Sequence, residues 1–188
     1  MIYIIRHGQT DLNDRKVLQG RSDFPLNGRG KAQAASAAKL LENVRFDKVY
    51  SSPLIRAVET AKIVSPGREI RIDERLTEMD YGPYEGMDLR NPAPEVLELF
   101  RDFVHHPAPS GMEQLPQVVK RAGEFVEECC RTEENLLIST HAIAMKGILE
   151  YLTPHANGKY WSEYVGNCAI YVTEYKNGAF TVPKELEG

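Results

Sequence analysis

The sequence predicts an α/β fold, a three-layer α/β/α sandwich with a mostly parallel central sheet. Two largely apolar runs, residues 2–5 and 136–140, show no polar alternation, which is typical of strands covered on both faces. Segments with helical periodicity lie between the predicted strands, and this alternation favours a parallel sheet. Because ligands in such folds bind beyond the carboxyl ends of the strands, we expect the functional residues there.

The chain has 188 residues, of which 42% are hydrophobic and 27% charged, so we expect one domain spanning residues 1–188. A formal net charge of -4 argues against a nucleic-acid-binding surface, which needs a basic face. The opening apolar run is short and lacks a basic leader, and no later run is long enough to cross a bilayer. We therefore predict a cytoplasmic protein without a membrane partner, whose oligomeric state the sequence leaves unknown.

The first predicted strand ends at a cation, an imidazole and a glycine: Arg6, His7 and Gly8. Gly8 lacks a Cβ, so the chain can turn there and a ligand can approach the backbone. Residues 11–27 are polar and are predicted to form a loop over the end of the sheet. Asn27 is a good cap for the alanine-rich helix that follows.

The next predicted strand is residues 47–51, and a helix is predicted to follow with Ser52 as its N-cap and Pro53 as its first residue. Arg56 then falls in the first turn, where free backbone amides already favour an anion. The alternative is a solvated surface arginine.

An edge strand is predicted in residues 69–76, with Ile70 and Ile72 on one side. The acidic, turn-rich segment 77–86 follows, and such a loop is usually solvated unless one of its carboxyl groups faces a site. Two amphipathic helices come next, with apolar positions at helical spacing in residues 96–104 and 115–129. The breaker-rich connection 105–111 between them is a candidate border of a substrate site.

The second apolar strand, residues 136–140, ends at His141, and a helix is predicted over residues 142–152. This repeats the opening pattern, so the two histidines are expected to meet over the sheet. A hairpin turn at residues 176–178 is predicted to close the sheet. The three cysteines are expected to be reduced thiols, and the adjacent His105 and His106 lack matching partners for a metal site.

The carboxyl edge of the predicted sheet thus collects two arginines and two histidines: Arg6, His7, Arg56 and His141. Arginine grips a tetrahedral or planar oxyanion with two parallel hydrogen bonds. A phosphate pocket is therefore the first interpretation, and a carboxylate substrate is the second.

With these residues in this order, the chain resembles the histidine phosphatase superfamily, also called the phosphoglycerate mutase-like family, over nearly its whole length. In pattern it is closest to the small alpha-ribazole phosphatase and broad-specificity phosphatase branch. The resemblance rests on Arg6-His7-Gly8 with Asn13, Leu18-Gln19-Gly20, Pro25-Leu26 before Arg29-Gly30, Ser51-Ser52-Pro53-Leu54 with Arg56, Glu78 before Tyr81-Gly82 and Glu85-Gly86, and Ser139-Thr140-His141.

The resemblance implies a phosphoglycerate mutase-like fold in which His7 is the nucleophile that forms a phosphohistidine. It also implies that Glu78 is the general acid and base, with Asp80 and Glu85 as local competitors. No metal or cofactor is needed in this scheme, because arginine and imidazole neutralise the phosphoryl charge. The residues implied to bind phosphate are Arg6, Asn13, Gln19, Gly20, Arg56, His141 and Ala142.

Three positions depart from the family pattern. Ala142 replaces a usual glycine after the second histidine, and its small side chain should keep the turn. Leu12 stands where relatives often have tryptophan, which alters the pocket wall. Residues 111–113 resemble a Gly-Gly-Glu segment in which Met112 replaces one glycine, so a substrate contact by Glu113 is not expected.

The leading functional hypothesis is a metal-independent phosphomonoester hydrolase acting on a small phosphorylated metabolite, with inorganic phosphate as product. Alpha-ribazole phosphate, phosphoserine and sugar phosphates are all compatible with the sequence. The nearest alternative is a phosphoglycerate mutase, although mutases of this family carry longer insertions between the acid and the second histidine. A non-catalytic phosphoester-binding module is a third hypothesis, disfavoured because every matched site residue is present.

Overall fold

Strands and helices alternate in the computed structural model, which describes residues 1–186. The strands are β1 (Ile2–Arg6), β2 (Lys48–Ser51), β3 (Ile70–Ile72), β4 (Leu136–Thr140), β5 (Ile170–Thr173), β6 (Tyr175–Lys176), β7 (Ala179–Phe180) and β8 (Lys184–Glu185). The helices are α1 (Asp11–Asp14), α2 (Gly28–Leu40), α3 (Ile55–Val64), α4 (Pro94–Arg101), α5 (Leu115–Cys129), α6 (Ala142–Leu152) and α7 (Lys159–Ser162), with 3-10 turns at Glu74–Leu76 and Gly82–Tyr84.

The central sheet has six strands in the order β3-β2-β4-β1-β5-β8. The first four are mutually parallel, whereas β5 and β8 run antiparallel to their neighbours. The predicted mostly parallel sheet is therefore confirmed. Among residues 1–186, no helix combines the length and the apolar character needed to span a bilayer.

Helices cover both faces of the sheet, as the three-layer prediction requires. On one face, Ala37 of α2 and Ala61 of α3 pack with Ile5 and Leu137 of the two central strands. On the other face, buried side chains of α5 and α6 contact the alternate strand residues; these are Ala122, Phe125, Val126, Met145, Ile148 and Leu149 against Ile2, Ile4, Leu136 and Ile138. Alternate strand residues point to opposite faces, so the uninterrupted apolar runs supply both cores.

The register of the two central strands brings the predicted histidines together. Strands β1 and β4 are neighbours, and Arg6 is paired with Thr140 at their carboxyl ends. The next residues, His7 and His141, therefore leave the sheet side by side. The backbone amide of His7 continues the ladder by donating to the carbonyl of Thr140 (2.9 Å).

The predicted start of the helix that carries Arg56 is wrong by two residues. Ser52 is not its N-cap: α3 begins at Ile55, and Leu54 has no side-chain capping bond. Instead, the amide of Ile55 donates to Oδ1 of Asp23, which lies in the preceding loop (2.6 Å). The Asp23 carboxylate is therefore bound at the N-terminus of α3, where the sequence predicted that free amides would favour an anion.

Other element boundaries also differ from the predictions. The predicted loop 11–27 contains the one-turn helix α1, capped by Thr10 and Asn13. Helix α4 ends at Arg101 rather than near residue 104, because Asp102 accepts hydrogen bonds from the next amides and ends the helix. The predicted edge strand is reduced to β3, where Ile72 is half exposed.

The C-terminal hairpin is present, but it does not close the central sheet. Strands β6 and β7 form a separate two-stranded ribbon, whose turn contains Asn177 and Gly178 with positive φ angles of 53° and 82°. These angles suit the predicted tight turn. The edge of the central sheet is instead β8, which pairs with β5.

Candidate active site

Two buried imidazoles form the centre of the site. His7 follows β1 and His141 follows β4, and their ring centroids are 5.1 Å apart. His7 is 4% exposed and His141 is fully buried. The structure thus brings together the two histidines that the sequence predicted to meet.

The hydrogen bonds of His7 define its tautomer. Its Nδ1 lies 2.7 Å from the carbonyl oxygen of Gly8, which can only accept, so Nδ1 carries the proton. Its Nε2 then has a free lone pair, to which Nε of Arg56 donates (3.2 Å). Burial lowers the pKa of His7 well below its usual value, and the charges of Arg56 and Arg6 lower it further. His7 is therefore a neutral imidazole with its lone pair directed into the cluster.

Arg56 is fully buried on the first turn of α3. Besides the contact with His7, its Nη1 donates to the carbonyl of Ser22 (2.7 Å) and its Nη2 to the carbonyl of Gly20 (2.7 Å). Burial lowers the pKa of Arg56 to about 10, so the guanidinium stays charged at neutral pH. The surface-arginine alternative is wrong.

Glu85 holds the loop that faces Arg56. Its carboxylate accepts hydrogen bonds from the amides of Gly20 (2.8 Å), Ser22 (3.1 Å) and Arg21 (3.2 Å), and also from the hydroxyl of Ser22. Both oxygens are occupied by this loop. Glu85 therefore orients the carbonyl groups that contact Arg56.

Glu78 is the buried carboxylate of the acidic segment, with 4% exposure. It accepts hydrogen bonds from its neighbour's amide, Met79 (2.9 Å), and from the first amides of α6, Ala144 (3.0 Å) and Ile143 (3.2 Å). Helix α6 begins directly after His141, so the predicted acid and the second histidine meet at one helix N-terminus. Asp80, by contrast, is exposed, and its carboxylate accepts from the amide of Gly82.

Three buried nitrogen atoms at the site have no hydrogen-bond partner among residues 1–186: Nε of Arg6, Nε2 of Gln19 and Nδ1 of His141. All three belong to residues of the predicted phosphate-binding set. Leaving such groups unpaired is costly, so these atoms are candidate contacts for a bound ligand. The other ring nitrogen of His141 is 2.8 Å from Oγ of Ser52, and burial, followed by the charge of Arg56, lowers the pKa of His141 well below its usual value.

Two other predicted phosphate ligands, Asn13 and Gln19, are hydrogen-bonded to Thr10 in the loop after His7. Gln19 accepts from the hydroxyl of Thr10 through Oε1 (2.7 Å). Oδ1 of Asn13 accepts from the amide of Thr10 (3.2 Å) and lies 3.5 Å from Nδ2 of Asn167. Ala142 is the first residue of α6.

Three polar residues that contact the site were not predicted from the sequence as site residues: Ser52, Thr60 and Asn167. Thr60 accepts from the amide of Gly8 (3.1 Å) and donates to the carbonyl of Arg56 (2.8 Å), and its position four residues after Arg56 was a usable signal. Asn167 donates to the carbonyl of His7 (3.1 Å) from a distant loop, which no local pattern reveals.

The connection 105–111 was predicted to be a candidate border of a substrate site. Its first residues line a groove of about 910 Å³, which residues 103–108 form together with Leu115, Tyr151 and Trp161. Within residues 1–186, the residues lining that groove include none of the predicted site residues. The described residues also contain no group of three or more His, Cys, Asp or Glu side chains placed to hold a metal ion.

Comparison with known proteins gives a family-wide match. The model of the histidine phosphatase superfamily (branch 1) matches residues 2–185. The putative phosphoserine phosphatase 2 of Hydrogenobacter thermophilus is 31% identical over 176 residues, which cover 90% of this chain and 86% of that protein. The fructose-2,6-bisphosphatase TIGAR of Xenopus tropicalis is 39% identical over 135 residues, which cover 68% of this chain and 49% of that protein, so the match spans about half of its length.

A solved structure extends the similarity to the whole fold. The phosphoserine phosphatase of Entamoeba histolytica, a variant in complex with phosphoserine, superposes with a TM-score of 0.86 at 23% identity. The match covers 98% of this chain and 95% of that chain. At this identity it shows a shared fold, the phosphoglycerate mutase-like α/β/α sandwich expected from the sequence.

Proposed function

Because this chain belongs to the histidine phosphatase superfamily (branch 1) and is a phosphomonoester hydrolase, we propose that it works through a phosphohistidine formed on His7. One observation carries this proposal. The imidazole of His7 is buried and neutral, with Nδ1–H donating to Gly8 and the Nε2 lone pair directed at the guanidinium of Arg56. Neutral imidazole is the nucleophilic form, and the arginine marks where a phosphoryl oxygen would lie.

In the first step, Nε2 of His7 attacks phosphorus and the bond from phosphorus to the ester oxygen breaks. Glu78, in its protonated form, gives its proton to the departing oxygen, because an alkoxide is too basic to leave unaided. Arg6, Arg56 and His141 hold the non-bridging oxygens. Asn13, Gln19, Gly20 and Ala142 complete the proposed phosphate-binding set.

In the second step, the Glu78 carboxylate takes a proton from water, and the water oxygen attacks the phosphorus of phosphohistidine. The bond from nitrogen to phosphorus breaks, which restores His7 and releases inorganic phosphate. Each charge-assisted contact to phosphate is worth roughly 1.5 to 3 kcal/mol, so several such groups supply a sizeable part of the barrier reduction. The arginines supply the positive charge, and the proposal includes no metal or cofactor.

The proposed substrates are small phosphorylated metabolites. Two of the relatives carry the name phosphoserine phosphatase and another the name fructose-2,6-bisphosphatase, and a solved relative holds phosphoserine. We therefore place phosphoserine, 3-phosphoglycerate and sugar phosphates first in a substrate panel, with alpha-ribazole phosphate beside them. A cytoplasmic location belongs to the same proposal and is supported by the three cysteines, all of which are free thiols.

The direct test is release of phosphate from an aryl phosphate in the presence of a chelator. We expect activity from the native chain and from Arg90→Ala, a control that removes an exposed arginine, but none from His7→Ala. Activity that survives His7→Ala, or that the chelator abolishes, would contradict the mechanism. Incubation with 3-phosphoglycerate and a bisphosphoglycerate primer tests the mutase alternative, which requires isomer formation to outpace phosphate release.

A further inference from the structure

The backbone just before Glu78 is held by an arginine from another element. Arg121 lies on α5, and its Nη1 donates to the carbonyl oxygens of Arg75 (2.7 Å) and Thr77 (2.6 Å). The carbonyl between them, that of Leu76, accepts from the hydroxyl of Thr140 (2.7 Å). Three consecutive carbonyl groups preceding Glu78 are thus fixed by side chains.

The backbone just after Glu78 is held by a glutamate. The amide of Glu113 donates to the carbonyl of Asp80 (2.8 Å), and Oε2 of Glu113 accepts from the amide of Asp80 (3.1 Å). Residues 111–113 are also in close backbone contact with this segment, because a Cβ at Gly82 would lie 2.0 Å from the carbonyl oxygen of Gly111. Glu113 therefore fixes the chain two residues beyond Glu78.

Arg121 and Glu113 form one bidentate ion pair. Nε of Arg121 is 2.7 Å from Oε1 of Glu113, and its Nη2 is 3.0 Å from Oε2. Their side chains are only 16% and 12% exposed. The pair connects the backbone before Glu78 with the backbone after it. We call Arg121 and Glu113 together the clamp. A lysine cannot reproduce it, because the clamp uses the planar fork of the guanidinium to bind two oxygens on one side and two carbonyl groups on the other.

The clamp contacts the chain that carries Glu78, and within residues 1–186 its hydrogen bonds do not involve His7, His141 or Arg56. These hydrogen bonds end on backbone atoms of Arg75, Thr77 and Asp80, and the Glu78 carboxylate is left to the amides of Met79 and α6. Glu113 also forms a longer ion pair with Arg21, with 3.6 Å between Oε2 and Nη2. A loss of the clamp is therefore expected to move the carboxyl group while leaving the phosphate-binding groups in place.

We propose that Arg121 and Glu113 are positioning residues for the general acid, holding the backbone on both sides of Glu78 so that its carboxyl group meets the leaving oxygen. This inference rests on the proposed function, which assigns the acid to Glu78. Misplacement of a reacting group by about 1 Å costs on the order of 100-fold in rate. The loss falls on esters whose leaving oxygen needs a proton and spares those whose leaving oxygen departs as a stable anion.

The test compares kcat/KM for phenyl phosphate and p-nitrophenyl phosphate, two esters of similar shape whose leaving groups differ in basicity. In a double displacement, kcat/KM reports the steps up to phosphohistidine formation. We expect Arg121→Ala to lower kcat/KM by about 10- to 100-fold for phenyl phosphate and by less than about 3-fold for p-nitrophenyl phosphate. The inhibition constant of inorganic phosphate should change by less than about 2-fold, because the hydrogen bonds of Arg121 end on Glu113 and on backbone carbonyl groups and not on the proposed phosphate ligands.

Two control variants separate positioning from general stability. Val126→Ala leaves a cavity in the core on the same helix, and Arg131→Ala removes an exposed arginine that pairs with Glu127. Neither variant should change the ratio of kcat/KM for phenyl phosphate to kcat/KM for p-nitrophenyl phosphate. Glu113→Gln keeps an acceptor oxygen and so disrupts the clamp less than Arg121→Ala does. It should lower kcat/KM selectively for phenyl phosphate, by a smaller factor. This variant replaces Arg121→Ala in the test if Arg121→Ala does not fold.

The variant Glu78→Gln tests the clamp proposal separately from the assignment of Glu78 as the general acid. We expect Glu78→Gln to show the full selectivity, and Arg121→Ala to add no further selectivity in that background. If Glu78→Gln is selective but the clamp variants lower both esters equally, the clamp is structural only and the proposed function stands. If Glu78→Gln is itself unselective, the acid assignment is wrong and the inference falls with it.

Discussion

His7 combines three features: its side chain is buried, two arginines lie nearby, and its tautomer is fixed by a hydrogen bond. Burial is the largest cause of its lowered pKa, and the charges of Arg56 and Arg6 act in the same direction. The carbonyl of Gly8 keeps the proton on Nδ1. At the scale of single residues, burial and the two arginines explain how His7 stays unprotonated beside the proposed phosphate ligands, where a bound phosphate would otherwise stabilise the imidazolium.

The protonation state of His7 is directly measurable. Titration of a chain with ¹⁵N-labelled imidazole groups should show His7 as the Nδ1–H tautomer, neutral at pH values well below 6.5. Arg56→Gln removes one cation, so it should raise the pKa of His7 towards its usual value, although burial will keep it lowered. The resonance is assigned by its loss in His7→Gln. A His7 pKa that falls or stays unchanged in Arg56→Gln would contradict the electrostatic explanation.

At the scale of elements, the loop after His7 depends on close contact with α2. A Cβ at Gly30 would lie 2.1 Å from the carbonyl oxygen of Gln9, and one at Gly8 would lie 2.4 Å from the carbonyl oxygen of Gly30. Both contacts are with backbone atoms, which cannot rotate away. Helix α2 is thus placed against the loop after His7 by two glycines, with Asn27 capping its start by accepting from the amide of Gly30 (2.8 Å).

This contact predicts different outcomes for two glycines of one helix. Gly30→Ala should lower the free energy of unfolding by at least about 1 to 3 kcal/mol, because the added methyl group must push α2 away from the loop after His7. It should also reduce kcat by displacing His7. Gly28→Ala is the matched control, since a Cβ there meets nothing within 4 Å and should change stability by at most about 1 kcal/mol. Urea denaturation and steady-state assays measure both; equal effects of the two substitutions would argue against this packing.

The boundaries of elements were predictable where local chemistry decides them. The limits of β4, α5 and α6 match the prediction, because apolar runs and helical stripes end there without outside help. The start of α3 was not predictable, since Asp23 caps it from the preceding loop. The end of α4 was missed because the apolar spacing continues through Phe103 and Val104, although Asp102 has already ended the helix.

At the scale of the whole molecule, the site combines residues that the sequence indicates with residues that only the folded chain brings together. The residue types at strand ends and their order point to Arg6, His7, Arg56 and His141, and the family resemblance adds Glu78. The parallel register of β1 and β4 then sets the histidines side by side. Arg121 and Asn167 carry no such signal, and the sequence did not indicate that Glu113 contacts the Glu78 segment. Their contacts with the site connect parts of the chain that are far apart, and only the folded backbone reveals them.

The burial of His7 and His141 makes the stability of the whole molecule depend on pH. The pKa values of His7 and His141 are both lowered by burial, so between their folded values and about 6.5 the unfolded chain binds more protons than the folded chain. The free energy of unfolding should therefore be highest above about pH 6.5 and fall as the pH drops below it. Each histidine contributes a slope of at most about 1.4 kcal/mol per pH unit.

The measurement is urea denaturation between about pH 5 and 7, with His7→Gln/His141→Gln as the comparison. The double variant should show a shallower decline on acidification, because the two groups that take up protons on unfolding are gone. An unchanged slope would mean that other groups determine acid stability.

The central claim, that phosphate passes through His7, is tested most directly by trapping the intermediate. Glu78→Gln should react with p-nitrophenyl phosphate, whose leaving group needs no proton, but should hydrolyse phosphohistidine slowly. Quenching into alkali, which preserves the acid-labile bond from phosphorus to nitrogen, followed by mass spectrometry should place one phosphate on His7. Phosphate on another side chain, or none on the protein while inorganic phosphate accumulates, would contradict the account.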